Sequence, residues 1–480
     1  MHDLMHDLAC SITNNECVHG LKGNVIDKRT RHFLLEEECR EDQLMGPLSK
    51  ATHVRTFFRH DHHDEVGSQW NFKEIFGNIF RLRALHLQLN GEIKYVKSLE
   101  FIGKLKHLRY LRIRGSNNIT YLPDSIIKLY NLETFIFQSS RLKIMPSDVG
   151  NLINLKHLDL SFNHELEFLP NSITELYNLE ALILEGCHEL KELPEGIKRL
   201  INLKHLHLRR CWTLTHMPKG LGELSNLQTL NRFVLENNDL KELDGLTKLR
   251  GKLSIELFEF CTNIDQLMIK GKLLLLKSGL QELKLKWRKH IIGDDHLKDV
   301  IDESVLDCLQ PHSNLQRVSI KGYGGVKLCN WISSEFLGCL VTICLINCER
   351  LKHLPRFDQF PNLKYLTLED LPNIEYIVVN NDDFVSSSKK FPSLEELKIL
   401  NMPKLVRWCK GPAWLGNLTS LVELDISHCK ELALLPEGIQ HIHNLQCLRI
   451  RNCPILKERC EIGTGEDWHK IAHIRDIDIR

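Results

Sequence analysis

"LINLKHLDLSFNHELEFLPNSITE", residues 152–175, is the stretch whose reading decides the fold. In "LKHLDL", Leu158 and Leu160 alternate with His157 and Asp159. A period of two makes a short strand with one buried face. Asn163 follows, where a small buried polar group can bond the turning backbone. Leu169-Pro170 then bends the chain away, because proline fixes φ and cannot extend a ladder. Ile173 packs back from the outer side.

The same pattern recurs at 105–128, 129–151, 176–199 and 200–223. Equivalent leucines fall at Leu108, Leu132, Leu155, Leu179, Leu203 and Leu227, in steps of 24, 23, 24, 24 and 24 residues. This is leucine-rich-repeat spacing, LxxLxLxx(N/C)xxLxxLPxxI. The Asn163 slot is filled by Cys187, Cys211, Cys348, Cys429 and Cys453 in other copies; a thiol occupies the same space as a weak donor. Leu122-Pro123, Leu193-Pro194 and Leu435-Pro436 repeat the bend, followed by Ile126, Ile197 and Ile439.

No single copy can fold alone. Stacking buries roughly five large aliphatics per repeat, at about 1.5–3 kcal/mol each before entropy. The expected fold is an α/β solenoid: one continuous leucine-rich-repeat horseshoe, with a parallel concave β-sheet and an irregular, short-helix convex side. Residues 101–230 carry the regular repeats. Residues 21–100 read as divergent opening repeats, with "HVRTFF" (53–58) and "RLRALHLQL" (81–89) as strands. Residues 231–480 hold looser repeats and the C-terminal cap, with insertions at 287–313 and 380–390. The first insertion contains "HLKDVIDESVLDCL", which has helical spacing, and the second is polar and reads as a loop.

Composition narrows the function. The chain has 480 residues, with 63 basic against 62 acidic, so no global field points to nucleic acid or an acidic membrane. No apolar run reaches about 18 residues, so no membrane insertion is expected. The N-terminus has no basic region before an apolar core, so it is not read as an export signal. The 16 cysteines include no CxxC pair and read as reduced thiols of a cytoplasmic protein.

Several metal-like or catalytic groupings have simpler readings. "HDLMH" (2–6) places two histidines four apart, but Asp3 stands where a zinc protease has its glutamate base, and no third ligand is near. "HDHHDE" (60–65) reads as a solvated loop. "GTGED" (463–467) lacks a lysine and reads as a turn before the last repeat. Cys339, Cys344 and Cys348 read as structural thiols. No metal site and no catalytic grouping is assigned, and an enzyme is not expected.

Five stretches add a resemblance. "MHDLMHDLA" (1–9) resembles the motif that closes the nucleotide-binding region of plant nucleotide-binding leucine-rich-repeat immune receptors. "LQPHSNLQRVSIKGYGGVKLCNWI" (309–332) resembles a stretch of their coiled-coil class, as do "RTRHFLL" (29–35) with "HVRTFF", and "GEDWHKIAHI" (465–474). The resemblance extends over nearly the whole chain. It implies that residues 1–20 are a winged-helix remnant in which His2 and Asp3 match the pair that senses bound ADP. The chain has no GxxxxGK[ST] phosphate loop, so no cofactor is expected; ADP or ATP would require the nucleotide-binding region. The implied function is plant innate immunity. The repeats would recognise a pathogen effector or a guarded host protein, and restrain the receptor through its own nucleotide-binding region. The alternative is a leucine-rich-repeat scaffold or ubiquitin-ligase substrate receptor.

Recognition would fall on the outward positions of the strands. These are Tyr110, Arg112 and Arg114, then His157, Asp159 and Ser161, then His205, His207 and Arg209, with Arg317 and Lys321, and Arg449 and Arg451 farther on. They are read as a locally basic seat for an acidic patch, since arginine pairs bidentately with carboxylates.

Overall fold

The computed structural model describes residues 16–19, 29–35, 52–59, 72–77, 79–88, 96–115, 119–235, 240–257, 273–288, 295–332, 335–378, 393–409, 418–436 and 438–480. His2, Asp3, the 60–65 cluster and the 380–390 insertion lie outside them.

The chain divides into two compact units, residues 1–231 and 232–480. In the first, strands β1 to β10 run at Cys17–His19, His32–Leu35, Thr56–Arg59, Ala84–Gln88, Tyr110–Arg114, Thr134–Gln138, His157–Asp159, Ala181–Ile183, His205–His207 and Thr229–Leu230. They pair in chain order as one ten-stranded sheet, all in parallel. Sequential parallel pairing with one crossover per strand is the topology of a repeat solenoid. The sheet reaches back to Cys17–His19, inside the stretch read as a winged-helix remnant, because Val18 is buried and the strand pairs in register with β2.

The core is the leucine ladder. Leu108, Leu132, Leu155, Leu179, Leu203 and Leu227 are each fully buried, as are Leu158, Leu182 and Leu206 on the strands and Leu160, Leu184 and Leu208 just after them. In the opening repeats phenylalanine takes over. Phe33 stacks on Phe57 at 5.5 Å, Phe57 meets Phe76 edge-on at 5.0 Å, and Phe76 stacks on Phe101 at 5.1 Å. Offset stacks and T-shapes are the favourable aromatic geometries.

Pro123, Pro170 and Pro194, with φ of −69°, −67° and −58°, each open a 3-10 turn on the side away from the sheet. Ile126, Ile173 and Ile197 close the core from that side, each 1% exposed. In the slot after the strand, Asn163 donates to the carbonyls of Phe137 (2.7 Å) and Leu160 (2.8 Å). Cys187 and Cys211 make the equivalent bond to Leu160 (3.3 Å) and Leu184 (3.1 Å), so the thiol does replace the amide.

Two repeated devices were not anticipated from the sequence. The asparagine of each "LxNL" bonds back to the preceding repeat: Asn154 to the Tyr130 carbonyl (2.7 Å), Asn178 to Ile153 (2.8 Å) and Asn202 to Tyr177 (2.8 Å). The residue just before each slot adopts the left-handed conformation, at Ser139, Phe162, Gly186 and Arg210. That single residue turns the chain out of the strand. It also explains the run of Asn347, Asp370, Asn401, His428 and Asn452 at the same corner in the second unit, residue types that tolerate positive φ.

The hydrogen-bond ladder of the first sheet ends with Thr229–Leu230. The Leu160 and Leu184 amides donate to main-chain carbonyls one repeat on, of Ile183 and His207, both at 2.8 Å. The Leu208 amide donates instead to the side-chain carbonyl of Asn231 (2.7 Å). A side chain has taken the place of the ladder, and the ladder stops there.

The second unit has its own ten-stranded parallel sheet. Its strands, in order, are β11 (Phe233–Leu235), β12 (Arg250–Leu257), β13 (Gly279–Trp287), β14 (Arg317–Lys321), β15 (Thr342–Ile346), β16 (Tyr365–Glu369), β18 (Glu396–Leu400), β20 (Glu423–Ser427), β21 (Cys447–Arg451) and β22 (Asp476–Ile479). β17 (Tyr376–Val378) and β19 (Arg407–Cys409) form a small separate pair. Within the first insertion, Asp295–Cys308 is helical, as its spacing predicts. Residues 461–467 form turns ahead of the short helix Trp468–Ile471 and the last strand.

The "GYGG" stretch wraps this insertion helix. Asp302 accepts from the Trp287 indole (2.9 Å) and the Gly324 amide (3.2 Å). Glu303 accepts from the Val326 and Lys327 amides, and Trp331 donates to the Leu306 carbonyl. Tyr323, 1% exposed, donates to the Lys327 carbonyl at 2.6 Å. Its ring would collide with any side chain at Gly325, since a Cβ there would stand 2.3 Å from the Tyr323 hydroxyl.

Candidate functional site

Parallel register aligns the outward side chains in rows. Arg112, Ile136, Asp159, Ile183 and His207 form one row of the first sheet; Tyr110, Thr134, His157, Ala181, His205 and Thr229 form the next. Of the positions chosen from alternation, Arg112, Asp159 and His207 fall in the first row and Tyr110, His157 and His205 in the second. The alternation that buries leucine on one side must present these residues on the other.

The expected basic character is corrected. Arg112 donates to the Gln138 side chain (3.4 Å), and Gln138 donates to Asp159 (2.7 Å). Ser161, read as outward, is buried, with its hydroxyl and amide bonded to the Asp159 carboxylate. His205 and His207 share the Thr229 hydroxyl, at 2.9 and 3.1 Å. Burial lowers the pKa of His207 and outweighs the opposite pull of Glu185 and Asp159. Arg209 stands 3.9 Å from Glu185. The middle of this sheet is a polar, charge-compensated network with isoleucines between its polar residues.

The second sheet behaves alike. Arg317 lies 3.9 Å from Glu282, which also binds Lys252 (2.8 Å) and Lys284 (3.1 Å). Arg449 pairs with Glu423, and Arg451 reaches Asp478 at 2.6 Å. Lys321 is exposed on the same sheet. Sequence reasoning followed the cations on their own strands; the carboxylates come from neighbouring strands, 24 or more residues away.

At the start of this sheet Glu256 is surrounded by Arg232 (2.8 Å), Arg288 (3.0 Å) and Lys286 (3.3 Å). Burial works to raise the pKa of its carboxyl. The Arg232 hydrogen bond and the three cations outweigh that and bring it down to about 2. Neither Arg232 nor Glu256 was singled out, because nothing local in "NRFVL" or "SIELF" shows that they meet.

Among the described residues, no three His, Cys, Asp or Glu side chains gather as a metal ion would need, and no helix is long and apolar enough to cross a membrane. Burial pushes the Cys187 thiol up, and the Cys348 thiol up to about 12, so both remain protonated donors.

Stacked 23- to 24-residue units, each with an inward leucine strand, an Asn or Cys corner and an outer 3-10 turn, define a leucine-rich-repeat protein. The family described as R13L1/DRL21 LRRs matches residues 240–371, which include the insertion helix and the stretch wrapped around it. A leucine-rich repeat region matches residues 76–166. The relatives are plant disease resistance proteins. RGA1, named among those of Solanum bulbocastanum, is 32% identical over 74% of this chain and 47% of its own length. RGA2 of the same plant is 27% identical over 52% of this chain and 36% of its length. An Arabidopsis thaliana disease resistance relative is 31% identical over 95% of this chain and 29% of its length. The chain thus spans less than half the length of these relatives. Among solved structures, a leucine-rich-repeat protein of Leptospira interrogans aligns over 98% of both chains with a TM-score of 0.58 and 19% identity, a likeness of fold alone.

Proposed function

We propose that this chain is the recognition part of an intracellular plant immune receptor of the coiled-coil class. Its repeats bind a pathogen effector or a guarded host protein, and in the resting state they hold the receptor's own nucleotide-binding region. The role is recognition rather than catalysis. Nucleotide is handled by the receptor's nucleotide-binding region rather than by these repeats, and the site of action is the cytoplasm. The observation that carries this reading is the run of disease resistance relatives, one of them aligned over 95% of the chain. A broad sheet face with fixed polar groups supports it, because parallel repeats present a rigid, preorganised surface that loses little entropy on binding.

The test is a pull-down of candidate effectors and host targets, with the wild-type chain and with an Arg112→Glu, Arg209→Glu variant. Arg209 is exposed and Arg112 half-buried on the outward side of the sheet, so a thermal melt of the variant is run first to confirm that it folds. The variant sets new carboxylates beside Asp159 and Glu185, and like charges so placed repel an acidic partner. Retention by the wild type and loss by the variant supports the reading. A partner retained equally by both takes this face out of the recognition surface.

A further inference from the structure

One row of the first sheet departs from the charge pattern of the rest. The residue just before each strand is linked to its counterpart in the next repeat by a backbone bond. Arg55 donates to Arg31, Arg83 to Arg55 and Arg109 to Arg83, each at 2.7 Å; Glu133, Lys156, Glu180 and Lys204 continue the row at 2.8 Å. In the later half the signs alternate and the charges pair, Lys156 with Glu133 at 2.9 Å and Lys204 with Glu180 at 2.7 Å. In the opening half four arginines follow one another. Strands lie about 4.8 Å apart, so these are like charges side by side, an arrangement that destabilises a sheet.

The arginines border a cavity of about 370 Å³ lined by Arg31, His53, Arg55, Arg81, Arg83 and His107. No carboxylate lines it among the described residues, and the guanidinium groups of Arg55, Arg81 and Arg83 have no acidic partner there. The nearest acidic member of the row, Glu133, is already held by Arg109 and Lys156.

We propose that this pocket binds a small molecule bearing two or more phosphate groups. Guanidinium forks match phosphate oxygens bidentately, and the forks of Arg55, Arg81 and Arg83, ahead of two adjacent strands, exceed what one phosphate can occupy. The volume is that of a small-molecule site. Single-stranded nucleic acid would use aromatic platforms for its bases, and no Phe, Tyr or Trp lines the pocket. An acidic protein surface would require apolar anchors at the centre of the contact, and none is present. The site is separate from the Arg112 and Arg209 face, so it stands whether or not that face binds an effector.

The probe is tripolyphosphate, titrated calorimetrically into the full chain, with orthophosphate and an oligoglutamate peptide alongside. The expected result is one equivalent bound with micromolar Kd, and orthophosphate and the peptide each weaker by at least tenfold. An Arg55→Gln, Arg83→Gln variant should lose at least tenfold while melting at or above the wild-type temperature, and Lys204→Gln, from the alternating half of the row, should bind normally. No heat with tripolyphosphate, or equal weakening by Lys204→Gln, overturns the proposal. Oligoglutamate binding as tightly as tripolyphosphate overturns it in favour of an acidic peptide.

Discussion

Arg232 donates a 2.8 Å hydrogen bond to Glu256 on the adjacent strand, and each side chain is only 3% exposed. A charge pair so buried is costly to form and more costly to break, because removing one partner strands the other. Glu256→Gln should therefore destabilise the second unit by about 3–5 kcal/mol. An Arg232→Met, Glu256→Leu double variant should recover most of that loss. The pH dependence follows from the carboxyl of Glu256, whose folded value of about 2 is below its ordinary 4.5. Its stabilisation is complete above pH 4.5 and is lost as pH falls towards 2, by about 3 kcal/mol in total. Denaturant melts of wild type and Glu256→Gln should converge over that window. Parallel curves would show that the pair contributes nothing through charge.

At Lys277 burial wins over charge pairing. The residue is fully buried, and its ammonium donates to the Leu273 carbonyl at 2.7 Å. Burial brings it down to about 8 from 10.5, with Asp244 pulling weakly the other way. The folded state thus holds fewer protons than the unfolded state between pH 8 and 10.5. Stability should rise with pH across that interval by about 3 kcal/mol from this group. Lys277→Met should be the more stable protein at pH 7 and lack the rise. A variant that loses stability at pH 7 would mean that the bond to Leu273 outweighs the cost of the buried charge.

Gly186 occupies a left-handed corner at φ +76°, with the Phe162 ring 2.7 Å from where a Cβ would stand. Alanine there meets both a backbone and a steric penalty, so Gly186→Ala should destabilise by about 1–3 kcal/mol. Arg210, at φ +62° one corner on, is exposed and already carries the backbone penalty. Arg210→Gly should cost nothing or stabilise slightly. Thermal melts that rank the two substitutions the other way would remove backbone conformation as the cause.

Asn163 is fully buried and bonds three main-chain groups: it donates to Phe137 and Leu160 and accepts from the Leu142 amide at 3.3 Å. Asn163→Ala leaves these groups unpaired in the core and should cost about 2–4 kcal/mol. Asn163→Cys should cost clearly less, because neighbouring repeats place a thiol there. Equal losses for the two variants would show that the thiol does not replace the hydrogen bonds of the amide in this slot.

The buried thiols should be inert in the folded chain. Cys187 and Cys348 are fully buried with raised pKa values, whereas Cys339 is exposed. Alkylation followed by peptide mass mapping should modify Cys339 first, and Cys187 and Cys348 only on unfolding, since the thiolate is the reactive form. Early modification of Cys187 in native buffer would contradict its placement in the core.

The leucine spacing, the LP bends and the Asn or Cys slot were legible in the chain because each is local. A strand, a bend and a corner all lie within two dozen residues, and burial repeats with the period. The helix of the first insertion was legible for the same reason. The break at Asn231 was not, because it depends on a side chain replacing its own carbonyl against Leu208 in the preceding repeat. Nor was the compensation of the arginines. Alternation shows that Arg449 and Arg451 point outward, but only register shows that Glu423 and Asp478 stand beside them. The sequence by itself therefore determined which aliphatic side chains of the repeats are buried and that the chain stacks, because hydrophobic burial follows a period along one strand. Tertiary structure decided the electrostatics of the surface, because charges interact across strands. That pairing compensates the arginines of the middle rows and leaves Arg55 and Arg83 without a carboxylate among the residues that line their pocket.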